Sequence, residues 1–154
     1  MESKSIKVFS YGSNSLKQLT ERVGEPVSMP VAGILRDYVR IFAGYSKKWK
    51  GGVASVYAEK GGFVEGAVFK LTQQQLDKLD AFEKGYRQIS KLIELNNGKR
   101  VRCVLYIKEN QSYIKPPSKR YIKAIKQTLR DVNYAEQPLV IRALVPVVTE
   151  ITRV

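Results

Sequence analysis

Two places in this 154-residue sequence could do chemistry, a glutamate and a short glycine turn. Glu83 stands in Leu79-Asp80-Ala81-Phe82-Glu83-Lys84-Gly85. The pattern puts it in the last turn of a helix, where the negative end of the macrodipole disfavours the ionised carboxylate. Partial burial beside Phe82 would raise its pKa further, toward the range that suits a general base. A solvated glutamate paired with Lys78 or Lys84 fits the same pattern. The turn is Tyr11-Gly12-Ser13-Asn14, between a β-prone run and a helix. Backbone amides of such a turn point outward and bind a carboxylate or phosphate. An ordinary N-cap turn has the same composition.

Other residues widen the choice of partner. Tyr86, Tyr106 and Tyr121 belong to a set of nine tyrosines, which offer both an apolar wall and a hydroxyl, although half-buried packing also accounts for them. Lys119, Lys123, Lys126 and Arg130 make a basic stripe along one helix, read either as a solvated face or as a track for a phosphate backbone. Twenty-seven Lys and Arg against fourteen Asp and Glu leave a net charge of +13, which favours anionic ligands without naming one. Nucleic acid is therefore a possible partner but not the favoured one, because no nucleic-acid motif or aromatic ladder accompanies the stripe.

The chain has no histidine, which excludes Ser-His-Asp and Cys-His machinery, zincin motifs and facial-triad iron sites. No metal site is expected. The single cysteine, Cys103, alternates with Val101, Leu105 and Ile107 and reads as a small core residue in a reducing compartment. Met1 to Lys7 lack the apolar stretch of a secretion signal, and no apolar run approaches the ~20 residues that cross a bilayer. A cytoplasmic protein without a membrane partner is the expectation. The sequence leaves the oligomeric state open.

These residues need elements to position them. Ile6 to Tyr11 reads as a strand, and Leu16, Leu19 and Val23 then mark a helix that Gly24 and Pro26 stop. The β-prone segments at 31–45 and 53–57 predict two or three strands, Lys60-Gly61-Gly62 a turn, and Phe63 to Leu71 a further strand. Thr72 caps a second helix with Gln75 reaching back and Leu71 and Leu76 stapling its start. Leu76, Leu79 and Phe82 form its apolar stripe, and Gly85 is expected to end it. Tyr86 to Leu95 and Lys99 to Lys108 form a hairpin through Asn96-Asn97-Gly98, where Asn-Gly predicts a type I′ turn. After Pro116-Pro117, Ser118 caps a helix bearing Ile122, Ile125 and Leu129. From Pro138 onward the chain is apolar and β-branched but interrupted by Pro146, and its state stays open. With no repeat or linker, the order specifies one α+β domain spanning residues 1–154, a curved mixed sheet or small β-barrel flanked by helices.

Taken in order, these segments resemble the γ-glutamylcyclotransferase family. Val8-Phe9-Ser10-Tyr11-Gly12-Ser13-Asn14 is similar to its strand and Tyr-Gly-Ser-Asn turn, and Gly51-Gly52-Val53-Ala54 to its Gly-Gly strand. Phe63 to Lys70, Leu79-Asp80-Ala81-Phe82-Glu83 and Pro117-Ser118-Lys119-Arg120-Tyr121 resemble its later motifs. The resemblance implies a γ-glutamylcyclotransferase-like (AIG2-like) fold and intramolecular cyclisation of a small γ-glutamyl substrate to 5-oxoproline, with no cofactor. It implies Glu83 as catalytic acid/base, and Ser10, Tyr11, Gly12, Ser13, Asn14 and Tyr121 as substrate-binding residues. Related branches act on γ-glutamylamines or other γ-glutamyl conjugates, so the leaving amine stays open. A rival expectation is a non-catalytic protein of the same fold that captures an anionic ligand or nucleic acid.

Overall fold

A computed structural model describes residues 5–109 and 115–134. The element order is β1 (Ile6–Ser10), α1 (Leu16–Val23), β2 (Val31–Ser46), β3 (Gly51–Leu71), α2 (Gln73–Asp80), β4 (Tyr86–Leu95), β5 (Arg100–Lys108) and α3 (Lys119–Arg130). The strands close into a barrel in the order β1-β3-β2-β4-β5. Only the β1–β5 seam, through Val8 and Val104, is parallel. The apolar segment beginning at Pro138 lies outside the described residues.

Closure depends on two long, bent strands where the sequence suggested several short ones. β2 and β3 pair along nearly their whole length, with register shifts between Arg36 and Tyr38 and between Ala43 and Ser46. Lys60-Gly61-Gly62 does not reverse the chain. It lies within β3 opposite Asp37, which adopts a φ of 65° and accepts the Gly61 N–H at 3.0 Å. Such bulges let a strand coil and continue into a neighbouring face, which glycine and a left-handed aspartate permit at low cost. The β4–β5 turn also departs from expectation, since of Asn97 and Gly98 only the glycine has positive φ. Gly98 donates to the Leu95 carbonyl at 2.9 Å, and Leu95 to that of Lys99 at 2.8 Å. That is a three-residue loop with glycine at its left-handed position instead of a type I′ turn.

Alternation along each strand splits the core in two. Phe9, Leu35, Phe42, Ile93, Cys103 and Leu105 pack in one cluster, joined by Tyr121 and Ile125 of α3. Val8, Phe69 and Leu71 face the other way against Leu19 and Val23 of α1 and Leu76 and Leu79 of α2. Cys103 is a buried free thiol, and burial pushes its pKa up to about 11.

The helix starts match their sequence signals more closely than the ends and faces. Thr72 and Gln75 form a reciprocal capping box, and Ser118 caps α3 by accepting the Tyr121 N–H at 3.1 Å. α2 nevertheless stops at Asp80, with Ala81 as its C-cap, so Glu83 lies beyond the helix and Gly85 does not end it. Phe82 is 54% exposed and leaves the expected apolar stripe. On α3 the buried face is Tyr121, Ile125 and Thr128, while Ile122 and Leu129 are only partly covered. This rotation aims Tyr121 inward. α3 reaches the barrel because β3 opens with two glycines. A Cβ on Gly52 would stand 2.2 Å from the Lys115 carbonyl oxygen, and the Gly52 N–H instead donates to Pro116 at 2.9 Å.

Candidate functional site

A cavity of about 330 Å³ opens where the end of β1 meets the α2–β4 connection and the start of α3. Its wall includes Ser10, Tyr11, Gly12, Ser13, Asn14, Glu83 and Tyr121, so the residues that the family resemblance implied for catalysis and substrate binding converge there. Tyr86 and Tyr106 line it as well.

Glu83 is held by turns on both sides of its own backbone. Its N–H donates to the Asp80 carbonyl at 3.0 Å, and its carbonyl accepts from Tyr86 at 3.1 Å across a turn in which Gly85 has a φ of 82°. The side chain is 10% exposed, and its Oε1 accepts a hydrogen bond from Asn14 Nδ2 at 2.9 Å. Arg22 Nη1 approaches the same oxygen at 3.6 Å. Neither Lys78 nor Lys84 is its partner: Lys78 reaches the Val23 carbonyl instead. Burial raises the Glu83 pKa from its ordinary value, Asp80 adds to the rise, and Asn14 and Arg22 oppose it. Of the two causes the sequence suggested, burial is the leading one, while the helix ends three residues before Glu83.

The turn opposite is fixed from within and from behind. Ser10 Oγ donates to the Asn14 carbonyl at 2.7 Å, closing the loop on itself. Ser15, one residue past the turn, is the true N-cap of α1. Asn14 Oδ1 accepts from Gln18 and Arg22, each at 3.0 Å, and this orients the Asn14 amide so that its Nδ2 faces Glu83. Ser13 Oγ accepts from Gln18 Nε2 at 3.0 Å. Tyr11 is buried, and its hydroxyl donates to the Tyr106 carbonyl. Arg40 Nε donates to the Tyr11 carbonyl at 3.0 Å while its Nη2 donates to that of Glu65 at 2.7 Å. Thr128 Oγ1 donates to the Gly12 carbonyl at 2.8 Å. In a trans peptide the carbonyl of one residue and the N–H of the next point to opposite sides. Arg40 and Thr128 therefore set the directions of the Gly12 and Ser13 N–H groups.

The third wall is aromatic. Tyr121, 3% exposed, accepts the Ala54 N–H at 2.8 Å, and Tyr86 donates to the Ala54 carbonyl at 3.1 Å. A Cβ on Gly12 would come 3.3 Å from the Tyr121 hydroxyl, so this glycine lets the loop and the phenol meet. Burial pushes the Tyr121 and Tyr86 pKa values well above the ordinary phenol range, which keeps both protonated. Trp49 packs edge-on to Tyr121 at 5.1 Å. The basic stripe lies elsewhere: Lys119, Lys123 and Arg130 are exposed and Lys126 partly so, and none lines the cavity.

Sequence reasoning missed Arg22, Arg40, Trp49 and Thr128. Arg22 carried a signal, since Asn14, Gln18 and Arg22 recur every four residues and share one face. Thr128 carried a weaker one, as a polar residue seven positions after Tyr121 on a buried face. Arg40 carried none, because its partners are 29 and 25 residues away.

A buried carboxylate hydrogen-bonded to an amide-bearing turn in the wall of a small cavity is an arrangement for handling a small polar molecule. Comparison with known proteins makes the class specific. Residues 8–125 match the family Gamma-glutamyl cyclotransferase, AIG2-like. Gamma-glutamylcyclotransferases from Bos taurus and Homo sapiens are 29% and 28% identical over 132 residues, 80% of this chain and 70% of theirs. A solved structure named Gamma-glutamyl cyclotransferase superposes with a TM-score of 0.78 at 26% identity, covering 84% of this chain and 81% of that one. The chain belongs to the γ-glutamyl cyclotransferase, AIG2-like family and is an enzyme of the cyclotransferase class. No helix among the described residues is long and apolar enough to cross a membrane.

Proposed function

We propose that this enzyme cyclises a γ-glutamyl compound, releasing 5-oxoproline and the free amine, with Glu83 as general acid/base. The observation that carries this reading is the buried Glu83 carboxylate, held by Asn14 of the very turn whose amides would bind the glutamyl group. Glu83 takes a proton from the α-amino group, and the nitrogen attacks the γ-carbonyl carbon. The new C–N bond closes the ring as the old one breaks, and the same proton leaves with the departing amine. The bonds balance without oxidant, reductant or cofactor. The Gly12 and Ser13 amides, aimed by Arg40 and Thr128, stabilise negative charge on the substrate. Tyr121 accepts from Ala54 and retains its own O–H as a donor. A curled substrate placed so that amine and carbonyl are in contact supplies much of the remaining acceleration. Cys103, a buried free thiol, fits a reducing compartment such as the cytoplasm.

The test is to incubate the purified protein with γ-glutamyl dipeptides, γ-glutamylamines and glutathione and to measure 5-oxoproline. At least one should yield it, and no product from any would remove the proposal. The pH profile adds a second check. Glu83 must be ionised to accept a proton, and burial raises its pKa. Activity should therefore be lost on acidification at a pH above the ordinary glutamate range of about 4.3. An acid limb at the ordinary value would show that Glu83 does not govern it.

A further inference from the structure

We propose that the leaving-group side of the cavity selects γ-glutamyl substrates whose departing amine carries two negative charges, an acidic amino acid or acidic peptide. The inference rests on the cyclotransferase reading of the same site. Four cations, Arg22, Lys48, Lys84 and Lys108, line the cavity against a single carboxylate, Glu83. Arg22 pairs with that carboxylate at 3.6 Å. Among the described residues, no ion pair compensates any of the three lysines. The γ-glutamyl half of a substrate brings one carboxylate, and in the cyclotransferase reading the turn amides bind that half. Negative charge on the departing amine would meet these lysines directly.

The lysines are placed for this, beyond being part of a basic protein. Lys108 Nζ sits 5.1 Å over the Tyr86 ring, in a notch bounded by Gly44 and Gly85. A Cβ on either glycine would come within 3.3 or 3.4 Å of that nitrogen, and the φ values of 65° and 82° disfavour any side chain there. Lys48 stacks over one edge of the site on Trp49 at 5.1 Å, with Arg120 on the same ring at 5.2 Å. Partial burial, then Arg22 and Arg120, pull the Lys48 pKa below its ordinary value, and only Glu21 opposes them. Such mutual repulsion is relieved by a polyanionic ligand and worsened by a cationic one.

The experiment compares kcat/KM for γ-glutamyl-glutamate, γ-glutamyl-alanine and γ-glutamyl-methylamide, whose leaving groups carry two, one and no carboxylates. Each carboxylate should raise kcat/KM by about fivefold at low ionic strength, and added salt should compress the series. Lys108→Gln and Lys48→Gln should each narrow the ratio between the first substrate and the last, with circular dichroism confirming that each variant folds. Equal efficiency for all three substrates, or a ratio unmoved by both variants, overturns the selectivity and leaves the cyclisation standing. Absence of 5-oxoproline from all three overturns the cyclisation, and the selectivity with it.

Discussion

Replacing Glu83 by glutamine should lower 5-oxoproline formation by about 10²–10⁴-fold, the usual contribution of a positioned general base. The fold should be unharmed. Glutamine keeps the shape, and its carbonyl can still accept the Asn14 Nδ2–H that now reaches Glu83 Oε1 at 2.9 Å. The sign of the stability change follows from the raised pKa. A carboxyl group whose folded-state pKa lies above its unfolded value contributes stability below the unfolded pKa and loses that contribution as pH rises through the folded one. At neutral pH the ionised Glu83 is therefore a net cost to folding, with burial outweighing Asn14 and Arg22. Glu83→Gln should melt no lower than the wild type near neutrality, and any advantage should shrink on acidification. The two readouts are turnover per folded molecule and Tm across pH. A variant that turns over normally would remove Glu83 from the mechanism. One that unfolds would make it a structural residue.

The elements that carry the site were legible in the sequence because their signals are local. Thr72 with Gln75, Ser118, and the apolar spacing of Leu19 and Val23 each act within one or two helical turns, where neighbouring residues decide the outcome. The barrel was less legible. Gly61-Gly62 looks like a chain reversal in isolation, and only its pairing opposite Asp37 makes it a bulge in a continuing strand. Helix ends failed for a related reason. Gly85 was an apt stop, but α2 ends at Asp80, and Gly85 instead lies in a separate turn closed by the Tyr86 N–H on the Glu83 carbonyl. Glu83 itself was found by type and spacing. Its environment was not, because burial and contact with Asn14 depend on residues 69 positions apart.

Arg40 and Thr128 should prove to be positioning residues, and uncoupling them from the Tyr11–Ser13 peptides should cost about 10²-fold in kcat. That is the low end of what loss of one aligned oxyanion donor costs in other acyl transfers. Neither side chain need touch the substrate. Arg40 grips the Tyr11 carbonyl and Thr128 the Gly12 carbonyl, so each fixes a peptide plane whose opposite edge carries the Gly12 or Ser13 N–H. Thr128→Val is the cleaner test, because it is nearly isosteric at a fully buried position and removes only the hydroxyl. Thr128→Ser keeps the hydroxyl and should recover most of the activity. Arg40→Lys should not recover it, since one ammonium cannot reproduce a planar fork that reaches the Tyr11 and Glu65 carbonyls together. A purely structural role would lower Tm and the folded fraction of the valine variant, with kcat per folded molecule unchanged. The positioning role instead lowers kcat in valine alone, with the acid limb of the pH profile in place because Glu83 is untouched. Thr128→Val with wild-type kcat would show that the turn holds its amides without help from α3.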